Sequence, residues 1–330
     1  MDIWKSLTQV PGEMASVATI GIFDGVHLGH RRILTRVVER AEALGVRAIA
    51  LTFDPHPATL HAPEAGIDLI MPLPDRLNAL AALGIDATLV ESYTWHLAGM
   101  SAEDFVRTYF VEGLGARVVV VGRDARFGRD NEGDLQTLKQ LGERYGFAVD
   151  VVNDVHETEA DRRYSSTWVR QLLARGDVEA AARILGHPYR LRGDVVHGYA
   201  RGRTLGFPTA NLCAGEVGMV PADGVYAGWL IVPVAGTRAV AALPSAISVG
   251  TNPQFSGTQR AVEAHVLGRT DLNLYGTSVA IDFVKRLRGM VTLDSVEALQ
   301  DQMDDDLRAS ADVLGVPPAG RVDPSAVTAR

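Results

Sequence analysis

His27 and His30 stand three residues apart with Gly29 between them, in the run Gly21-Ile22-Phe23-Asp24-Gly25-Val26-His27-Leu28-Gly29-His30. From Arg31 onward the apolar residues Ile33, Leu34, Val37, Val38, Ala41 and Leu44 recur at helical spacing, so a helix is expected to begin close to His30. The first turn of a helix carries unpaired N–H groups and the positive end of the macrodipole, which together attract phosphate. Two imidazoles on one face there, with a glycine admitting close approach to the backbone, read as a phosphate site, and a strand-turn-helix with incidental histidines explains the same residues equally. A second anion site is offered by Ser165-Ser166-Thr167 with Arg170, because a helix capped by serine presents N–H groups and hydroxyls beside that arginine. Ordinary capping explains the same serines. A third group, Thr209 and Asn211, sits two apart on a β-prone run, so a hydroxyl and an amide oxygen share one face. Such oxygens suit Mg²⁺, which keeps waters and binds through substrate phosphates, although an ordinary turn and strand explains the run at least as well.

The elements that position these residues follow from periodicity. Val17 to Phe23 reads as a strand, then the helix, then a strand from Val46 to Phe53 that runs into the rigid turn Asp54-Pro55-His56-Pro57. His56 there reads equally as a turn residue or as a ligand. Helix from Asp75 to Leu83 and strand from Ala87 to Glu91 come next. Ser101 to Asp104 has the form of a capping box before the helix of Phe105, Val106, Tyr109 and Phe110. The strand Arg117 to Val121, the helix Leu135 to Tyr145 and the strand Phe147 to Val152 complete an alternation that implies an open parallel sheet. Ligands bind beyond the carboxyl ends of such strands. Three of those ends are polar: Asp24-Gly25, Asp54-Pro55-His56 and Gly122-Arg123-Asp124.

Past Gly186 the texture changes to short β-prone runs broken by glycine and proline: Tyr189 to Val196, Gly224 to Val232, Ala239 to Val249, Arg260 to Leu267 and Ser278 to Val284. This spacing suggests a small antiparallel barrel. A helix from about Ser295 to Leu314 follows. The expected organisation is therefore 1–186, 187–316 and a disordered tail over 317–330.

Composition limits what such a chain does. With 330 residues and 47% hydrophobic content it buries a large core, consistent with two domains. A formal charge of −8 argues against a general nucleic-acid binder, which needs a basic face. Lys5, Lys139 and Lys285 are the only lysines and no Gly-Lys-Ser/Thr occurs, so a P-loop is excluded and phosphate must be held by arginine, backbone amides and metal. Cys213 is the single cysteine, which rules out an intramolecular disulfide or a cysteine metal cluster. Met1 to Lys5 lacks a basic stretch followed by an apolar core, and no apolar run is long enough to span a bilayer. A cytoplasmic protein without a membrane partner is expected, with a homo-oligomer left open.

Gly-x-Phe-Asp-Gly-x-His-x-Gly-His resembles the signature of the nucleotidyltransferase superfamily, and this version is most similar to bacterial FAD synthetases. The resemblance implies a Rossmann-like α/β nucleotidyltransferase domain with a parallel sheet, in which His27 and His30 hold the phosphates of ATP. Ser165-Ser166-Thr167-x-x-Arg170 is similar to the family's triphosphate clamp, and Phe53-Asp54-Pro55-His56-Pro57 to the turn lining its flavin and ATP cleft. Gly21, Phe23, Asp24, Gly25, His56, Asp124, Arg163, Ser166 and Thr167 are the implied ATP and FMN contacts, with His27, His30 and Arg170 in catalytic roles. Gly122 to Gly128 resembles a further family run, with Ala125 in place of its first aromatic.

In the second half, Leu205-Gly206-Phe207-Pro208-Thr209-Ala210-Asn211 resembles the riboflavin kinase signature, whose threonine and asparagine position Mg-ATP. Ser248 to Phe255 and Leu274-Tyr275-Gly276 are similar to that family as well. The resemblance implies that Thr209 and Asn211 hold Mg²⁺, that Glu263 is the general base, and that Gly198, Arg203, Gly206, Phe207, Pro208, Asn252 and Arg288 contact ATP or riboflavin. Read alone, Glu263 is a surface acid. The run Arg286 to Leu293 lacks the acidic and Phe positions that commonly follow these arginines. The expected function is phosphorylation of riboflavin to FMN in the barrel and adenylylation of FMN to FAD in the first domain, with riboflavin, FMN, FAD, ATP and Mg²⁺ as small-molecule participants. Two alternatives are a single-activity transferase whose barrel only binds flavin, and a non-catalytic flavin-binding protein.

Overall fold

Successive residues of the first strands face opposite ways and are apolar on both sides, so each strand feeds two cores at once. Val17, Ala48, Ala50, Val118 and Val120 pack on one face with Leu34, Val37, Leu77 and Leu80. Ala18, Ile49, Leu51, Val119 and Val121 pack on the other with Phe105, Phe110 and Leu138. Near-continuous apolar strands covered on both faces are the mark of a parallel sheet. The computed structural model describes residues 1–64, 66–155, 162–197, 207–212, 218–234, 236–237, 239–251, 260–292 and 294–322. It divides into two compact units, Met1–Ser166 and Thr167–Arg330.

In the first unit, β1 (Asp2–Trp4), β2 (Ser16–Ile20), β3 (Arg47–Phe53), β4 (Ala87–Glu91), β5 (Ala116–Gly122) and β6 (Ala148–Val152) form one parallel sheet in the order β1-β4-β3-β2-β5-β6. The chain steps outward from β2 to β3 and β4, then returns to β5 on the other side of β2. The connections after β2 and β5 therefore diverge, and this is the crevice where such sheets take ligands. Helix α1 (Leu28–Leu44) follows β2, and α2 (Pro57–His61) and α3 (Leu73–Ala82) follow β3. After β4 come α4 (Trp95–Ala98), α5 (Ala102–Phe105) and a π-helix over Val106–Gly113; α6 (Leu135–Tyr145) precedes β6.

The expected strand over Val17 to Phe23 ends at Ile20, because Phe23 takes φ +54°, a conformation no ladder accommodates. The helix expected near His30 begins at Leu28, with His27 as its N-cap. Ser101 caps α5 as expected by accepting the Asp104 N–H at 3.0 Å. The apolar run after it folds as a π-helix, and the edge strand β1 was not anticipated.

The second unit contains α7 (Ser166–Arg175, of which Ser166 belongs to the first unit), α8 (Val178–Leu185) and the strands β7 (Tyr189–Val196), β8 (Ala210–Leu212), β9 (Gly224–Pro233), β10 (Val240–Thr251), β11 (Arg260–Val266) and β12 (Ser278–Arg288). The strands close into an antiparallel barrel in the order β10-β11-β8-β7-β12-β9. Helix α8 lies against β7 and β12, where Glu179 Oε1 meets Lys285 Nζ at 3.8 Å. Ala222 N–H donates to Leu173 O at 2.9 Å and Arg286 to Arg175 O at 3.2 Å. The last helix, α9 (Val296–Leu314), packs through Leu307 and Ala311 onto Phe207, Ala246 and Leu267. Beyond it, Ala319 packs on this cluster and Arg321 N–H donates to Asp304 Oδ1 at 3.2 Å.

Candidate active sites

The loop from Gly21 to His27 is held in an unusual path by groups on both sides of it. Gly25 has φ +81°, and a side chain at Gly21 would meet the Phe23 ring at 2.8 Å. Phe23 and the β-branched Val26 also lie at positive φ and are buried, a strain of about 1–3 kcal/mol per residue that the surroundings must offset. Asp24, expected as a nucleotide contact, uses its carboxylate on the backbone: Oδ2 accepts from Ile70 N–H at 3.0 Å and Oδ1 from Met71 N–H at 3.1 Å. Its own carbonyl accepts the Ser166 hydroxyl at 2.8 Å, which places Ser166 at the histidine loop.

At the end of that loop the His27 and His30 rings stack, 3.7 Å between centroids, and Phe23 meets His30 edge-on at 5.4 Å. His27 Nδ1 accepts the His30 backbone N–H at 3.4 Å, so the proton of neutral His27 resides on Nε2. Burial is the main cause that pushes the His27 pKa down to about 4, with the Arg163 guanidinium adding to it and Asp124 opposing. His30 is held well below the usual histidine range by burial and by His27. At neutral pH both rings are thus uncharged hydrogen-bonding groups. His30 Nδ1 is buried with no partner among the described residues, a polar atom that a ligand oxygen would satisfy.

Arg163 forms an ion pair with Asp124 at the end of β5, so two expected residues meet beside His27. His56 caps α2, accepting the Ala58 N–H at 3.0 Å, one turn past the end of β3. Thr167 and Arg170 lie on α7 in the second unit. One residue that sequence reasoning missed is Arg76. It is 2% exposed, and its guanidinium donates to Ile22 O at 2.8 Å and to Phe53 O at 3.2 Å. It therefore ties the exit of β2 to the exit of β3. Nothing local to α3 signals this, because both acceptors are main-chain carbonyls far away in sequence.

The barrel site rests on register. Asn211 is paired with Glu263 across β8 and β11, and Thr209 lies just before β8 on the same face as Asn211. Thr209 donates its hydroxyl to Glu263 Oε2 at 3.3 Å, and Asn211 Nδ2 lies 3.3 Å from Thr209 Oγ1. Burial raises the Glu263 pKa above its usual value, while the Thr209 hydrogen bond offsets part of that rise. The three expected residues are brought together. Their donor set of a hydroxyl and an amide fits Mg²⁺ held mainly through phosphate and water, and the described residues contain no group of three or more His, Cys, Asp or Glu side chains able to hold a metal. The Asn211 amide nitrogen faces Thr209, so ligation by the amide oxygen requires the group to turn over.

Other expected kinase contacts have different surroundings. Phe207 is fully buried in the cluster with Leu307, and Pro208 offers its carbonyl to His265 at 2.8 Å. Arg288 is committed to Asp306 of α9 by two bonds of 2.8 and 2.6 Å, which latch that helix to β12. Gly198, Arg203, Gly206 and Asn252 lie outside the described residues.

A parallel sheet with a histidine-bearing loop at its switch point, continued by a closed barrel with a carboxylate beside a hydroxyl, is the architecture of a two-unit phosphate-transferring enzyme. The FAD synthetase family matches residues 11–168, and the riboflavin kinase family matches residues 185–314. A bifunctional riboflavin kinase/FMN adenylyltransferase from Escherichia coli strain K12 is 34% identical, over 94% of this chain and 96% of its own. Those of Pseudomonas fluorescens and Bacillus subtilis are 36% and 33% identical, over 94% and 88% of this chain and 96% and 90% of theirs. A crystal structure described as a macrolide-efflux protein from Streptococcus pneumoniae superposes with a TM-score of 0.83 at 29% identity, covering 94% of this chain and 98% of that one. Among the described residues of this chain, no helix is long and apolar enough to cross a membrane. The chain belongs to the family of bifunctional riboflavin kinase/FMN adenylyltransferases.

Proposed function

We propose that the two activities of the family are divided between the two units, with the first unit making FAD and the barrel making FMN. The enzyme phosphorylates riboflavin with ATP and adenylylates the resulting FMN with a second ATP, releasing pyrophosphate. The observation that carries the division is the opposite tuning of the two sites. Glu263 is a carboxylate whose pKa is raised, whereas His27, at about 4, is a poor proton acceptor at neutral pH.

That difference suits the two nucleophiles. Riboflavin's 5′-hydroxyl must lose a proton as its oxygen attacks the γ-phosphorus; Glu263 takes the proton, the new O–P bond forms, and ADP leaves. FMN's phosphate oxygen is already ionised and attacks the α-phosphorus directly, with the bond to pyrophosphate breaking. In that step neutral His27 and His30 donate hydrogen bonds to the triphosphate, Ser166 adds its hydroxyl, and Arg163 adds charge. Thr209 and Asn211 would hold Mg²⁺ on the ATP of the kinase site, where the ion neutralises phosphate charge. A cytoplasmic setting and small-molecule partners complete the reading, and the charge of −8 speaks against a nucleic-acid partner.

Separate assays of FMN and FAD formation test it. Glu263→Gln should cut FMN formation by roughly two orders of magnitude and leave FAD formation from supplied FMN nearly unchanged. His30→Ala should do the reverse, lowering FAD formation by about a hundredfold or more. Parallel loss of both activities in either variant defeats the division.

A further inference from the structure

His265 lies two residues beyond Glu263 on β11 and is 4% exposed. The ladder between β8 and β11 pairs Asn211 with Glu263 and Ala210 with Ala264, and there it stops. Pro208 has no N–H with which to extend it. Where main-chain pairing ends, a side chain continues the hold: His265 Nδ1 lies 2.8 Å from the Pro208 carbonyl oxygen. A carbonyl only accepts, so the imidazole proton sits on Nδ1. Burial pushes the His265 pKa down and keeps the ring neutral with that one donor. Phe207, wholly buried, meets the His265 ring at 5.8 Å and fixes the residue before Pro208. Thr209 is thereby held from both sides, by the ladder at Ala210 and by the bonded carbonyl at Pro208.

We propose that His265 is a positioning residue of the kinase site: its bond to the Pro208 carbonyl sets the Thr209 hydroxyl against Glu263 and fixes where a phosphate-bound metal is received. The inference rests on Thr209 and Glu263 being that site. Without the bond, Thr209 is a loop residue held only by its link to the first residue of a three-residue strand. A catalytic group misplaced by about 1 Å costs up to a hundredfold in rate.

The test uses the full-length protein and two substitutions. His265→Leu keeps an apolar side chain of similar reach and removes the donor. His265→Asn keeps an N–H at the same number of bonds from the backbone. FMN formation should fall by roughly ten- to a hundredfold in the leucine variant and recover most of its rate in the asparagine variant. ATP affinity, measured by calorimetry without riboflavin and with or without Mg²⁺, should lose its response to the ion in the leucine variant and regain it with asparagine. FAD formation from supplied FMN should be unchanged in both. The proposal is overturned if His265→Leu keeps FMN formation and the Mg²⁺ response within about twofold, well short of the loss that misplacement brings. It is equally overturned if His265→Asn falls as far as His265→Leu. Should His265→Leu fail to fold, the asparagine variant alone decides, since a folded, active His265→Asn supports the role and a folded, impaired one removes it. Thr209→Ala serves as the control on the premise: full FMN formation in that variant rejects the site reading itself, whatever the His265 variants do.

Discussion

Burial acts on Glu263 and on His27 in opposite chemical directions, because it disfavours whichever form carries charge. For Glu263 the charged form is the working base, so FMN formation should rise with pH through a midpoint above the ordinary 4.5. A pH profile of kcat/KM checks this, and Glu263→Gln should flatten that limb. For His27 and His30 the consequence is on stability. The unfolded chain takes up protons near pH 6.5, which the folded first unit refuses until about pH 4 at His27. The unfolded state therefore binds more protons in that window, so stability is full above pH 6.5 and falls by about 1.4 kcal/mol per group for each unit of acidification. Urea unfolding of the first unit at pH 7 and pH 5 measures the slope, and His27→Gln should reduce it. The residues that touch substrate in this reading were legible because they stand in short, regularly spaced runs such as His27-x-x-His30 and Thr209-x-Asn211. Arg76 and His265 were not, since each serves a main-chain carbonyl that no local pattern betrays.

Among the elements, those with strong punctuation were placed well. Strand β4 and helix α6 have the expected bounds, the latter because Asp134 accepts the Thr137 N–H at its start and Gly146 turns left-handed at its end. The π-helix after α5 was not legible, because apolar spacing over so short a run does not distinguish it from an α-helix. The exit of β2 is the element on which the transferase site depends. Ile22 O receives both the Arg76 guanidinium and the Thr52 hydroxyl, the latter at 3.1 Å. Arg76→Met should remove two charge-assisted bonds at roughly 1.5–3 kcal/mol each, loosen the loop that carries His27, and lower FAD formation while FMN formation continues. Thermal unfolding together with the two assays checks this, and an Arg76→Met protein with full FAD formation would show that the loop holds its path unaided.

At the scale of the molecule, the alternation of strands and helices followed by short strands was enough to read the two architectures. Strand order was not, because it depends on which non-local pairs form. The texture changes at Gly186, yet the second unit begins at Thr167, and α8 buries Val178, Ala181, Ile184 and Leu185. We propose that the independently folding kinase piece includes α7 and α8. A fragment of residues 167–330 should make FMN and melt at a higher temperature than one of residues 187–330, since each buried aliphatic side chain contributes about 1.5–3 kcal/mol. Equal melting temperatures would place the boundary at the texture change instead.

The strand pairings also order events on the ribosome. Synthesis delivers the N-terminus first, at about 5–20 residues per second. Asp2–Trp4 emerges ahead of its partner Ala87–Leu89, so Trp4 lacks that neighbour until β4 has been made. In the barrel the first strand, β7, pairs with the last, β12. A nascent chain that stops before Ser278 has an open sheet edge in place of a closed barrel, whereas the first sheet is complete once β6 has emerged. During translation, therefore, the sheet of the FAD synthetase domain is complete before the barrel of the riboflavin kinase domain can close, the reverse of the order in which the two reactions run.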